Sequence, residues 1–198
     1  MLDWIIANGD QILGFATGAA CVFLAGRSNV WNYPIGIANN LVFLAVFFSA
    51  GLYASAGLQL VYLVLGAHGW WRWTRRIEQD RAYAVRTPRR AIAWLVAAFV
   101  VIGAVLVWVL TTFTDSHVAF ADAGTTAASL VAQYMLNRKW IENWFVWITV
   151  DIAFTLLSAI SGLWIVAALY VLFIGLCLLG LRSWRRLLAP DEPLAVAA

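Results

Sequence analysis

Between Arg27 and Arg72 lie 44 consecutive residues, Ser28 to Trp71, without a Lys, Arg, Asp or Glu. One bilayer crossing takes about 20 apolar residues, so the stretch is long enough for two, and the small residues Ser49-Ala50-Gly51 divide it. A soluble domain has about 25% charged residues with which to cover its surface. This chain has 12% charged and 64% hydrophobic residues over 198 positions, more apolar material than one core can bury. A water-soluble fold, disorder and a collagen-like chain are therefore excluded. A disulfide scaffold is excluded too: the two cysteines, Cys21 and Cys177, lie in apolar runs where Cys serves as a small hydrophobe. Alternation at period two is absent, which argues against a transmembrane barrel. Met1–Asp10 carries two Asp and no basic residue, unlike a secretory signal. The expected class is an all-α membrane protein.

Hydropathy places seven transmembrane helices at about 6–25, 31–49, 52–73, 91–113, 119–137, 141–160 and 162–182. The first is interrupted by Asp10 and three Gly and could start as late as Gln11. With seven spans, all thirteen Lys and Arg fall on one side. Arg27 follows helix 1, seven Arg lie between Arg72 and Arg90, Arg138 and Lys139 precede helix 6, and Arg182, Arg185 and Arg186 close helix 7. Positive charge marks the cytoplasmic side, so the N-terminus is expected outside and the C-terminus inside. The basic connector 72–90 reads as this topology signal against the lipid headgroups of the membrane, not as a nucleic-acid site. Trp70, Trp71, Trp73, Trp140 and Trp184 stand beside these Arg and fit an interfacial aromatic belt.

Displacing the chain against itself by 111 residues, the separation of Asn32 and Asn143, aligns it without gaps. Arg27 then meets Arg138, Gly51 meets Gly162, Gly69 meets Gly180, Trp73 meets Trp184 and Arg75 meets Arg186. Apolar bias alone does not pair Arg, Asn, Gly and Trp. The reading is two parallel three-helix repeats joined by a linker helix, 3+1+3. Residues 1–76 form the first repeat, 77–118 the basic connector and helix 4, 119–186 the second repeat, and 187–198 a cytoplasmic tail. Parallel repeats are a transporter plan, with substrate held near mid-membrane at the repeat interface.

Asp151 is the only charged residue deep within an expected span. Placing a carboxylate there costs about 2.5–3.5 kcal/mol on insertion scales, and such groups face cavities or partners. Trp144 and Trp147 precede it by seven and four residues, on the same helical face. An acid near indole rings suits a flat organic cation; the alternative is an Asp bonded to a neighbouring helix. Asn39 and Asn40 lie at the equivalent depth of helix 2, and Asn40 is the repeat mate of Asp151. Gln59, Gln133 and Tyr170 put polar groups on helices 3, 5 and 7, each read either as interhelical glue or as a substrate contact. Pro34 fits the first turn of a helix, and Asn143 a helix start. His68 and His117 lack ligand-spaced neighbours, so no metal site is expected, and no phosphate-binding Gly loop suggests ATP use. No cofactor is expected. One intramembrane acid is too little for a membrane enzyme, whereas uncoupled transport needs only a pocket with two access states.

The segments Trp31-Asn32-Tyr33-Pro34-Ile35-Gly36-Ile37-Ala38-Asn39, Leu52-Tyr53-Ala54-Ser55-x-x-Leu58-Gln59 and Gly69-Trp70-x-x-Trp73 resemble the PnuC family of vitamin transporters. So does Asn137-Arg138-Lys139-Trp140-Ile141-Glu142-Asn143-Trp144-x-x-Trp147-x-x-x-Asp151. The resemblance implies a fold similar to the SWEET sugar transporters and facilitated diffusion of nicotinamide riboside. It also implies a cytoplasmic kinase that traps the product by phosphorylation. By motif position it points to Trp144, Trp147, Asn39, Gln59 and Gln133 as pocket residues. Some nicotinamide riboside transporters carry Asn where this chain has Asp151. An acid there suits a cationic vitamin, which describes both nicotinamide riboside and thiamine, and the sequence leaves the two open. The expected partners are such a small molecule and the membrane lipids; a homo-oligomer is compatible with the sequence but not specified by it.

Overall fold

A computed structural model describes residues 9–49, 53–75, 84–113, 119–160, 162 and 164–188. Among these residues the chain is all-helical apart from turns and isolated bridges. The seven helices are α1 (Gly9–Gly26), α2 (Asn32–Ser49), α3 (Tyr53–Arg75), α4 (Arg89–Phe113), α5 (Ala119–Asn137), α6 (Asn143–Ile160) and α7 (Trp164–Arg186). By length and composition α4, α6 and residues 166–186 of α7 can each cross a membrane. Large apolar side chains of α4 such as Val100, Val101 and Trp108 lie on its open face, a surface stable against hydrocarbon and not against water.

α2 packs on α3 and α6 on α7; α1 touches α2 and α7, while α5 touches α4, α6 and α3. The α5 contacts are close because Ala119, Ala123 and Ala127 form a buried stripe at helical spacing. Small residues let helix backbones approach where no hydrophobic drive assists.

α1 and α5 end in the same turn. Asn29 N–H donates to Leu24 O at 2.9 Å and Ser28 N–H to Ala25 O at 2.9 Å; Trp140 N–H donates to Met135 O at 3.0 Å and Lys139 N–H to Leu136 O at 2.9 Å. Both are Schellman caps, with Ser28 at φ 53° and Lys139 at φ 57° in the left-handed region. Each next helix opens on an Asn whose Nδ2 reaches back three residues: Asn32 to Asn29 O (2.7 Å) and Asn143 to Trp140 O (2.6 Å). Asn143 is therefore the helix start that the sequence suggests. Pro34 falls in the first turn of α2, where a missing N–H costs no intrahelical bond.

The tryptophan belt needs correction. Trp70 and Trp71 are exposed, but Trp73, Trp140 and Trp184 are buried. Trp184 meets the edge of Trp144 at 5.4 Å and donates its indole N–H to Ala25 O at 3.0 Å. Trp73 lies against Tyr33 and Trp184, and Trp140 against Trp94 and Tyr134. A Trp at a helix end has two sides to choose from. These three fall on the inward side, where neighbouring helices converge and the rings bury more area than an interface offers.

Some helix ends also differ from expectation. α3 runs to Arg75 and α7 to Arg186, because basic side chains stabilise a helix C-terminus and continue it beyond the apolar run. α7 begins at Trp164 because Gly162 takes φ 74°, which no helix accommodates. The first three residues of the expected 6–25 span, the Ser49-Ala50-Gly51 break beyond Ser49, the connector at 76–83 and the tail beyond 188 lie outside the described residues. What is described of the connector is strapped to the basic end of the bundle. Ala84 N–H donates to Leu187 O, Val85 pairs with Lys139 and Ile141, and Thr87 donates twice to Glu142 Oε2, at 2.8 and 2.6 Å.

Candidate functional site

Above that buried tryptophan layer the helices part around a cavity of about 430 Å³ lined by all but α4. Its wall includes Asn39, Asn40, Gln59, Gln133, Trp144, Trp147, Asp151 and Tyr170, so the structure brings together every residue the sequence singled out. These are the residues offered as substrate contacts, not Pro34, Asn143 or His68; they come from α2, α3, α5, α6 and α7, and only the fold puts them in one place. On α6, Trp144, Trp147, Val150, Asp151 and Phe154 share the inward face, as their spacing requires.

The two indoles differ in what they can offer. Trp144 is 1% exposed and wedged against α7: a Cβ built on Gly180 would lie 2.5 Å from its Cη2. Its Nε1–H is buried and has no partner among the described residues. Of the two indole rings expected near the acid, Trp144 is therefore a packed floor with an orphan donor and Trp147 the half-buried ring. Asp151 is 6% exposed. Its Oδ2 accepts from Cys177 Sγ at 3.5 Å, a long and weak contact that leaves the carboxyl most of its capacity. Among the described residues no basic side chain lines the cavity with it.

Asn39, Asn40 and Gln59 each line the wall without a hydrogen-bond partner among the described residues, so their amides are not spent on interhelical bonds there. Gln133 differs, because its Nε2 donates to Asn137 Oδ1 at 3.1 Å. Tyr170 stacks on Phe154 at 4.8 Å with its edge toward Phe173. Sequence reasoning missed Tyr33, Tyr62, Ser129 and both cysteines, all of which line the same cavity. Tyr62 stands three residues after Gln59 and Ser129 four before Gln133, a helical-face signal that could have found them. The cysteines carried no such signal, since an apolar run conceals which members face inward. No group of three metal-ligating side chains occurs among the described residues. Chemically, the cavity is a compartment with one acid, several free amides and aromatic rings, fitted to an organic molecule of mixed polar and aromatic character that carries positive charge.

Comparison with known proteins gives consistent matches over nearly the whole chain. The family model described as nicotinamide mononucleotide transporter matches residues 10–186. The nicotinamide riboside transporter PnuC of Escherichia coli is 27% identical over 92% of this chain and 85% of its own length. The riboflavin/roseoflavin transporter RibM of Streptomyces davaonensis is 28% identical over 88% of this chain and 84% of its own. A solved structure, the crystal structure of the vitamin B3 transporter PnuC, superposes with a TM-score of 0.70 over 94% of this chain and 86% of that one, at 24% identity.

Proposed function

We propose a function from one premise: the chain belongs to the nicotinamide mononucleotide transporter family, a family of multi-pass membrane transporters. On that premise it takes up nicotinamide riboside by facilitated diffusion, with the cavity as the binding compartment. The observation that carries the reading is the buried carboxyl of Asp151 in a cavity lined by amides and aromatic rings. The pyridinium carries a permanent positive charge, and Asp151 neutralises it. Trp147 supplies a ring face, with Trp144 beneath as floor. Asn39, Asn40, Gln59, Gln133 and Tyr170 meet the ribose hydroxyls and the carboxamide. The similarity to a riboflavin transporter names a second cargo, but a neutral flavin can only hydrogen-bond to the acid, whereas a cation also neutralises its charge.

The architecture we assign is 3+1+3, with α1–α3 and α5–α7 as parallel repeats, α4 as linker and the cavity between them. Helix bounds support it: α2 and α6, and α3 and α7, begin and end at positions 111 apart. The left-handed residues Ser28 and Lys139 and the capping amides of Asn32 and Asn143 obey the same offset. So does the packing, because the contacts of α1 with α7 and of α5 with α3 exchange under it. The domain limits 1–76, 77–118, 119–186 and 187–198 follow, with the basic end in the cytoplasm, the N-terminus outside and a kinase inside consuming the product.

The test is binding of nicotinamide riboside, thiamine and riboflavin to purified protein, measured side by side. Nicotinamide riboside is expected to bind most tightly; binding of thiamine or riboflavin without it overturns the assignment.

A further inference from the structure

We propose that Asn137, which is not part of the cavity wall, is a positioning residue that fixes Gln133 as a hydrogen-bond acceptor. The ligand group met there must then be a donor. This rests on the nucleoside reading above and deepens it.

The inference starts from a backbone carbonyl, which can only accept. Asn137 Nδ2 donates to Leu65 O of α3 at 2.8 Å, and this sets which end of the Asn137 amide is which. Its Oδ1 then faces the other way and accepts from Tyr33 Oη and from Gln133 Nε2, both at 3.1 Å. Reversing the Asn137 amide would set its oxygen against Leu65 O and its NH₂ against the NH₂ of Gln133. Asn137 is buried, and a buried polar group set against a like group carries the full penalty of the lost bond. Gln133 is thereby oriented with its nitrogen toward Asn137. Its Oε1 has no partner among the described residues, and Gln133 lines the cavity, so an acceptor is what it offers there. Tyr33 is committed in the same way. Its one hydroxyl proton goes to Asn137, and its oxygen can only accept. Together with the Asp151 carboxyl farther along α6, these oxygens give the cavity wall three acceptors. That matches a ligand carrying a cation, a carboxamide NH₂ and three ribose hydroxyls.

Asn137 does this across the molecule: it stands at the end of α5 and bonds to α2 and α3. Its mate at the 111-residue offset is Gly26, which packs directly on Gly180 and offers no polar atom of its own side chain. The device exists on one side of the cavity only.

Two measurements test it. The first needs no ligand. The chain has four glutamines, Gln11, Gln59, Gln79 and Gln133, so side-chain ¹⁵N labelling gives few signals, with Gln133→Leu assigning one of them. The Gln133 NH₂ is expected to exchange with solvent at least about tenfold more slowly than that of Gln59. Asn137→Leu should remove this protection, and Asn137→Asp, which keeps an acceptor toward Gln133, should retain it. Equal exchange of Gln133 and Gln59 in the unaltered protein overturns the proposal, whatever the variants do.

The second measurement uses nicotinamide ribosides methylated in turn at the carboxamide nitrogen and at O2′, O3′ and O5′, each lacking one donor proton. At least one should bind roughly tenfold or more weaker than the parent. That ratio should fall toward one in Asn137→Leu and survive in Asn137→Asp, although both variants lose the bond to Leu65. An unchanged ratio in Asn137→Leu, with all ligands weakened alike, makes Asn137 a structural pin and overturns the inference. If the unaltered protein binds no riboside at all, the substrate assignment fails, and the exchange comparison still decides the orientation of Gln133.

Discussion

Asp151 is the residue at which the chain accepts a cost that its apolar neighbours do not. A carboxylate at mid-membrane depth disfavours insertion by about 2.5–3.5 kcal/mol, and the weak 3.5 Å contact from Cys177 returns little of that. The cost is understandable if a cation completes the site. A hydrogen-bonded or ion-paired contact to a charged group is worth about 1.5–3 kcal/mol, or roughly 10–100-fold in affinity. Asp151→Asn should therefore weaken binding of nicotinamide riboside by about that factor, while an uncharged reduced analogue of the same shape loses less than about threefold. Titration calorimetry of both ligands on both proteins measures this, and equal losses assign Asp151 a structural role. The acid, the Trp-x-x-Trp spacing and the amides were legible in the sequence because polar groups are rare and costly in an apolar run. Asn137 was not. It reads there as part of a motif at a helix end, and only the fold shows that its amide accepts from Gln133 on its own helix and from Tyr33 on α2 while it donates to Leu65 O on α3.

At the scale of the helices, aromatic side chains and glycines fit each other in corresponding places. Tyr33 on α2 lies where a Cβ on Gly69 of α3 would be, and Trp144 on α6 lies where a Cβ on Gly180 of α7 would be. The sequence repeat pairs these residues but cannot say that they touch, since identity at an offset carries no contact information. The same gap explains the tryptophan belt: position at a helix end was legible, and the side of the helix was not. Gly180→Ala drives a methyl into the Trp144 ring, with three ring atoms at 2.5–2.7 Å. Overpacking of this kind costs about 1–3 kcal/mol, which lowers the melting temperature of a chain this size by roughly 2–10 °C. Gly175→Ala on the same helix meets nothing within 4 Å and should not lower it, with helix propensity raising it slightly. Thermal unfolding of the two variants in one detergent separates close packing from any general intolerance of α7. The strap is a second element with a definite anchor. Glu142→Ala removes the acceptor of both Thr87 bonds and should speed amide exchange of Thr87 by about tenfold or more without changing the unfolding of α6.

For the molecule as a whole, the proposed two-repeat plan has a mechanical consequence. The seams between the halves run along α1 with α7 and along α5 with α3, so a rocking of one half on the other would open the cavity to alternate sides. The described wall holds one acid, no basic partner for it and no three-ligand metal group. A site that neutralises a cationic substrate with its own fixed acid gains nothing further from a co-transported proton or sodium ion, since a second positive charge would compete for Asp151. Transport should then follow the substrate gradient alone. In liposomes with identical salt and pH on both faces, labelled nicotinamide riboside should equilibrate to equal concentrations inside and out. Preloading with unlabelled substrate should accelerate entry of label, and collapsing any residual potential with ionophores should change the initial rate by less than about twofold. A cationic substrate crossing alone carries charge, so an imposed potential negative inside should raise its steady accumulation by roughly tenfold for each 60 mV, from the 2.3 kcal/mol per 100 mV that one charge experiences. Uptake that occurs only with a proton gradient, or accumulation indifferent to the potential, would mean that a counter-charge moves with the substrate. Asp151 would then carry a proton through the cycle instead of holding a fixed charge for the cargo.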